Sequence, residues 1–555
     1  MKKIFTLLAL TISFSMNAQL TAVTESGNTG QRLSISNASN HGDIGSNAVD
    51  LSYSWSAGST INGATGQNSV AMGVGTIASG FGSFAMGDFS GASGHASVAM
   101  GSLTNASGYA SFAMGEDTSA SGYASFAMGN SAYAQGYGSV AMGIGNLAFG
   151  NYSTAMGSFT TASGDYSTAM GNSTIASGVL STAMGTNTEA SGESSTAMGT
   201  NTEASGLRSF SAGHLSKASG DMSTALGASQ ATGDYSTSMG WLTNATGTTS
   251  TAMGVDTSAS GNDSTSMGNT TTASGQSSTA MGHITTASGD FSTAIGYSLG
   301  EEYIPGESTP FYKNEALGNY SVVLGNRNKS TGTKSFSIGN DNLSQGTGTF
   351  SIGENNISTG NYSMALGLFS ESIANASLAI GNNAYADGFN TIAIGTANTI
   401  DENASADAWN INNRLLVVGN GQYNLETETL ERSDAFTIMF NGDATLAGNL
   451  SVNSDAKLKS NIISLGSTLA KVLMLDGKSY SMKNDPESAV KIGLVAQNIE
   501  QTFPELVSES NGIKSVNYQG LIPVLINAVK EQDNIIKKQD ERLAKLEQVI
   551  AKMNE

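Results

Sequence analysis

The chain has 555 residues with 68 Gly, 5 Pro and no Cys, a formal net charge of −20, and only 12% charged residues, against a usual share of about a quarter. A hydrophobic content of 39% is too high for a disordered tail, but aromatic residues make up 7%, so any core must be thin and built from small or aliphatic side chains. The absence of Cys excludes disulfide stapling and thiol catalysis, and a stretch from Met72 to Gly300 whose only basic residues are Arg208 and Lys217 argues against nucleic acid or an anionic membrane as its partner.

At the N-terminus Lys2 and Lys3 precede an apolar run from Ile4 to Phe14, and Met16-Asn17-Ala18 places a small residue before Gln19. This pattern predicts a secretory signal peptide over 1–18, although Met16 is larger than the residue preferred there; a buried N-terminal helix is the alternative. No later run of about 18 apolar residues occurs, so no transmembrane segment is expected in the mature chain. Residues 19–59 form a short N-terminal segment.

From Met72 the tripeptide Ala-Met-Gly recurs every fourteen residues through Met86, Met100, Met114, Met128, Met142, Met156, Met170, Met184 and Met198. The column continues through Ala212, Leu226, Met239, Met253, Met267, Met281 and Ile295 with one 13-residue step, then through Leu324, Ile338, Ile352, Leu366, Ile380 and Ile394, giving 23 repeats. Within a unit, Ser, Val/Phe/Thr, Ala and Met/Ile/Leu alternate with period 2, so the bulky residues share one side of a short strand and Ser or Ala the other. A Gly follows the strand, and a second Gly, such as Gly80, Gly94 or Gly108, marks a turn that needs a positive φ or a close backbone approach. Two such corners per fourteen residues describe one coil of a β-solenoid, and 23 coils at the strand spacing predict a rod roughly 110 Å long.

Over about residues 60–400 these repeats resemble the head of YadA-like trimeric autotransporter adhesins, whose unit has the form Ser-Val-Ala-Ile-Gly followed by Ala-x-Gly. The resemblance implies a trimeric, left-handed parallel β-roll with apolar strand faces packed inside each coil or against neighbouring chains. Two rival solenoid types fit the residues less well. Calcium-binding rolls need a register of carboxylates, and no such column occurs. Ice-binding solenoids need Thr ranks, and Thr stands two before the Met column at ten sites from Thr154 to Thr293, but it replaces Val or Phe there and is expected in the packed face.

Between Ile295 and Leu324 the spacing is 29, two repeats plus one residue, with an unrecognisable intervening coil. An insertion over about 297–317 carries Glu301, Glu302, Tyr303, Pro305, Pro310, Phe311 and Tyr312, and is expected to be a bulge between two head segments or a projecting recognition loop. The four His, at 41, 95, 214 and 283, lack partners at ligand spacing; surface positions rather than a metal site are expected, and no cofactor is implied. Residues 401–453, with Leu415-Leu416-Val417-Val418 and Ala435 to Phe440 before Asn441-Gly442-Asp443, read as a β-rich neck of short strands and turns.

Thirteen of the 24 Lys and Arg lie from Ser454 onward, and the chemistry lies there too. The run Ser454-Asp455-Ala456-Lys457-Leu458-Lys459, then Gly493-Leu494-Val495-Ala496-Gln497, Phe503-Pro504-Glu505-Leu506-Val507, Tyr518 and Leu521-Ile522-Pro523-Val524-Leu525, resembles the peptidase S74 family, the intramolecular chaperone domain of phage tailspikes and endosialidases. The resemblance implies a Ser454/Lys459 dyad that cuts the Asn453–Ser454 bond, with Lys457 a surface charge. A desolvated Lys can replace His as general base for a Ser nucleophile. Positions i and i+5 share a face on neither helix nor strand, so a loop, or a Lys from another chain, must make the contact.

The last helix carries Ile522, Val529, Ile536, Leu543 and Ile550 seven apart, with a second column of Leu525, Gln532, Gln539, Leu546 and Met553. This a/d pattern predicts a coiled coil over about 522–553, which the resemblance makes a trimer; a helix packed only on its own domain is the alternative. The sequence thus predicts a mainly β chain: a trimeric β-roll head, a β-rich neck, and a small α+β chaperone domain over 454–555 ending in a coiled-coil helix. It reads as a homotrimeric secreted or cell-surface fibre, adhesin-like, that cleaves itself and has no external substrate; its surface ligand is unspecified, and the charged helix at its end, in place of amphipathic barrel strands, predicts no self-made anchor. A prophage-type tail fibre is the alternative, with an ice-binding solenoid behind it.

Overall fold

A computed structural model describes residues 20–55, 61–298, 313–483 and 490–554. The signal-peptide reading lies outside the described residues, as does most of the insertion. Two compact units emerge, the first ending at Asp434 and the second made of 410–416 and 435 onward.

The first unit is a parallel β-solenoid of about 25 turns. In a regular coil a five-residue strand, Val98–Ser102, is followed by a two-residue strand, Asn105–Ala106, each paired in parallel with the same residues of the coils before and after. Ala99, Thr104, Ala106, Gly108 and Ser111 point inward and are buried, while Val98 and Met100 face outward and remain half-buried. Size largely decides which face turns in: Ala, Ser, Thr and Gly fill most of the narrow interior, with Val323 and a few Asn the larger residues buried there. The ten-site Thr column, Thr154 to Thr293, belongs with Val98 and Met100 on the outward face, half-buried in the single chain.

The two glycine columns serve different needs. Gly101 combines a φ of 135° with a close approach, a Cβ there standing 1.9 Å from the Gly115 carbonyl oxygen. Gly108 has no positive φ but faces the Gly122 carbonyl oxygen just as closely, at 1.9 Å. The left-handed corners fall instead on ordinary residues, Leu103 (φ 55°) and Ala110 (φ 52°), with equivalents in almost every coil. Each such residue costs of order 1 kcal/mol or more. Both are held by backbone bonds to the preceding coil, Leu103 N donating to Asp88 O at 2.9 Å and Ala110 N to His95 O at 2.7 Å.

The 13-residue step is a missing corner. Thr224–Ala231 runs through it as one strand, and the register shifts between Ala228 and Ser229 so that Ala228 faces Trp241 while Ser229 faces Thr243, leaving Leu242 bulged outward. The 29-residue spacing resolves differently from the reading of two repeats plus one. Thr293–Tyr297 pairs directly with Val322–Asn326, and Thr285–Ala287 with Asn314–Ala316, so no intervening coil exists. One coil instead carries extra residues between Ser298 and Lys313, and the near-multiple of fourteen is coincidental.

Beyond that insertion the inward Thr column becomes an asparagine ladder. Asn342 donates through Nδ2 to Ile338 O (3.1 Å), Gly353 O (2.8 Å) and Asn328 Oδ1 (2.9 Å), and its Oδ1 accepts Asn356 N (3.0 Å). Asn314, Asn328 and Asn356 continue the ladder. A buried polar column is tolerated when each member is satisfied in this way.

At the N-terminal end, β1 (Leu20–Glu25) and β2 (Asn28–Leu33) form an antiparallel hairpin, and β2 pairs in parallel with β3 (Val49–Tyr53), which stacks on Val70–Val74. The end is closed by a buried ionic cluster. Arg32 binds Glu25 at 2.7 Å and Asp50 at 3.1 Å, and His41 Nδ1 lies 3.1 Å from Asp50. Burial alone would raise the Asp50 pKa, but hydrogen bonds from His41 and Ser52 outweigh it and hold the carboxyl below its ordinary value. His41 is therefore a core residue and not the surface position expected, its place set by an acidic partner distant in sequence. His95 and His214 are exposed, and His283 is half-buried with Nδ1 2.7 Å from Ser298 O.

In the second unit, Phe436–Ile438 pairs with Ala444–Leu446 in a hairpin across the Asn441-Gly442 turn. Its C-terminal part contains α1 (Leu469–Val472), α2 (Ala496–Thr502), a hairpin of Val507–Ser510 with Ile513–Val516, and the 33-residue α3 (Leu521–Met553). Ile499, Phe503 and Val524 form the core, with Val472, Leu475, Leu494 and Leu506 packed around them.

Candidate functional site

Asn453, Ser454 and Lys459 lie in an exposed segment of the second unit. Asp455 is extended (φ −63°, ψ 133°), Ala456–Leu458 form a single 3-10 turn, and Lys459 returns to extended backbone (φ −121°, ψ 144°). Asp455 Oδ1 caps the turn by accepting Lys457 N at 2.9 Å, and Lys459 N donates to Ala456 O at 3.1 Å. This one turn folds residue 459 back over residue 454, and Lys459 Nζ donates to Ser454 Oγ at 2.6 Å. An i, i+5 pair that no regular helix or strand could bring together therefore meets within one chain. Lys457 is exposed. Among the described residues no group of three His, Cys, Asp or Glu could hold a metal ion.

The downstream motifs are framework. Gly493 ends the strand Lys491–Gly493, where a Cβ would stand 2.8 Å from the Tyr518 hydroxyl, which accepts Leu494 N at 2.8 Å and donates to Leu494 O at 3.4 Å. Ala496 opens α2, Phe503 enters the core, and Pro504 starts a 3-10 turn. Glu531, which the motifs do not include, reaches from α3 to accept Ser467 Oγ at 2.6 Å and the backbone amides of Thr468 and Leu469, tying α1 to α3. The hydrogen bonds from Ser467 and Thr468 hold its carboxyl below the ordinary value.

α3 has two apolar faces. Leu521, Val524 and Ala528 are buried against its own domain. The heptad residues Ile522, Leu525, Val529, Ile536, Leu543, Leu546 and Ile550 are each between 47% and 63% exposed in the single chain. Among the described residues no helix is long and apolar enough to cross a membrane.

A long parallel solenoid joined to a small α+β domain with an apolar-striped terminal helix defines a repetitive fibre protein of the adhesin or tail-fibre kind. Comparison with known families agrees: the YadA head domain repeat matches eleven times, two copies each, from 64–90 to 373–398, with its two long gaps at 230–244 and at 299–315 across the insertion. The chaperone of endosialidase, peptidase S74, matches 454–508, beginning at Ser454 itself. With more than half of its length in these matches, the chain belongs to the YadA head repeat family and carries a C-terminal peptidase S74 domain. No curated protein matches the chain.

Proposed function

We propose that the chain is a secreted or cell-surface, adhesin-like homotrimeric fibre whose C-terminal domain directs assembly and then releases itself by cutting the Asn453–Ser454 bond. The observation that carries the cleavage is the 2.6 Å contact between Lys459 Nζ and Ser454 Oγ at the first residue of the S74 match. Lys459 as neutral amine takes the Ser454 proton, and Oγ attacks the Asn453 carbonyl carbon, closing a five-membered ring. The C–N bond breaks as the Ser454 nitrogen takes a proton from Lys459, leaving an ester between Asn453 and Ser454 Oγ. Water then adds its hydroxyl to the Asn453 acyl group and returns a proton to Oγ, which frees the domain. Excluding water favours the neutral amine, and because the segment is exposed in a single chain, a neighbouring chain is the element suited to cover it.

The outward, half-buried Val/Phe/Thr and Met columns and the exposed α3 stripe support association of chains, since apolar ranks of this length are otherwise left facing water. Three chains brought into register by α3 would let the roll zip along its length, and loss of the template would then trap the fibre kinetically. The test is expression of the full chain beside Ser454→Ala and Lys459→Ala. Wild type alone should release a fragment beginning at Ser454, read by gel and N-terminal mass; identical single bands in all three would overturn the cleavage.

A further inference from the structure

The solenoid places identical positions of successive coils one strand spacing apart, so an aromatic residue repeated in a turn column becomes a stack. Phe81, His95, Tyr109, Tyr123 and Tyr137 occupy the position after the second Gly and form such a column. Tyr109 and Tyr123 have ring centroids 4.9 Å apart with planes 3° from parallel, and Tyr123 and Tyr137 are 4.8 Å and 1°. The column then steps to the next position, where Tyr152 and Tyr166 stack at 5.1 Å and 13°. The other stacked pairs among the described residues have Phe or His on at least one side.

These rings are fixed and reachable together. Tyr109 O accepts Ala124 N, and Tyr123 O accepts Gly138 N, each at 2.7 Å, so the backbone at each ring is pinned to the next coil. Yet each of the five tyrosine side chains belongs to a residue 44–55% exposed. Two phenols held in register in this way have the proximity that a coupling reaction otherwise gains only by collision.

We propose that this tyrosine column is a site of oxidative cross-linking, in which Tyr123 couples to Tyr109 or Tyr137, and Tyr152 to Tyr166, when the fibre meets hydrogen peroxide and a haem peroxidase. Each phenol gives up one electron and one proton to become a phenoxyl radical. The two radicals join through their ortho carbons, and the two ring hydrogens at those carbons shift to the oxygens to restore both phenols. The pair loses two electrons and two protons in all, which reduce one hydrogen peroxide to two waters. In a chain without Cys, the new carbon–carbon bond ties successive coils together, as a disulfide would in another protein.

The test uses the full folded chain with hydrogen peroxide and a haem peroxidase, then denaturation and digestion. Cleavage after Glu116 separates Tyr109 from Tyr123, and cleavage before Asp165 separates Tyr152 from Tyr166. The expected result is dityrosine fluorescence from a species that still migrates as one chain, and peptides joined across each cut at their summed mass less two hydrogens. Tyr123→Phe should lose the Tyr109–Tyr123 link and keep Tyr152–Tyr166. Absence of these links, links only between chains, or the same links in chain oxidised while unfolded in urea would overturn the proposal.

Discussion

Replacing Asp455 by Ala tests how the dyad is held without touching either of its members. Asp455 Oδ1 accepts Lys457 N at 2.9 Å and caps the only turn that folds Lys459 onto Ser454. Loss of such a cap costs about 1 kcal/mol, which lowers the population of the closed turn, and with it the cleavage rate, by about fivefold. Asp455→Asn keeps a side-chain oxygen at the same place and should cleave at close to the wild-type rate. The assay is the time course of fragment release on a denaturing gel for wild type, both Asp455 variants and Lys459→Ala. A wild-type rate in Asp455→Ala would mean that the turn does not position the lysine. Complete loss of cleavage, equal to Lys459→Ala, would mean that the carboxylate takes part in the chemistry; either result refutes the reasoning.

Asn342→Ala removes the acceptor of Asn356 N and the donor to two buried carbonyls, at about 1–3 kcal/mol for each group left unpaired; hydrogen exchange should quicken at the Asn356 amide and neighbouring coils while distant coils keep their protection. Ala113→Leu overfills the coil interior and should destabilise by about 1–3 kcal/mol or more in urea melts, whereas Met114→Gln on the outward face should leave the coil folded and weaken chain association. Asp50 has a folded pKa below its unfolded value of 3.8, so its contribution is present above that value and is lost as pH falls through the folded one. Acidification below about pH 4 should therefore release protection of β1 to β3 before the central coils, and Asp50→Asn should lose that pH dependence.

The coil was legible because a period of fourteen leaves its mark on every side chain: Ala99 against Met100 separates the inward from the outward face, and Gly101 and Gly108 mark close backbone approach. The left-handed corners were not, because Leu103, Asp117, Ser131 and Phe159 share no chemistry. Backbone bonds between coils hold these corners, and such bonds carry no side-chain signature. The 29-residue spacing misled because a count cannot distinguish an extra coil from an enlarged corner, while the pairing of Ile295 with Leu324 can. At the candidate site the motif named Ser454 and Lys459, but the 3-10 turn that joins them has no periodicity to detect. The cluster of Glu25, Arg32, His41 and Asp50 was invisible for a related reason, its members being assembled by strand pairing across distances that local pattern does not span.

The central claim is that one chain cannot cover its own apolar ranks and does so with two copies of itself. The mass in solution of the uncut Ser454→Ala chain, measured by sedimentation equilibrium, tests it most directly. Three chains per particle are expected, falling to one or an undefined mixture when Leu543 and Ile550 in α3 are both changed to Asp. A single monodisperse chain in the uncut protein would contradict the account.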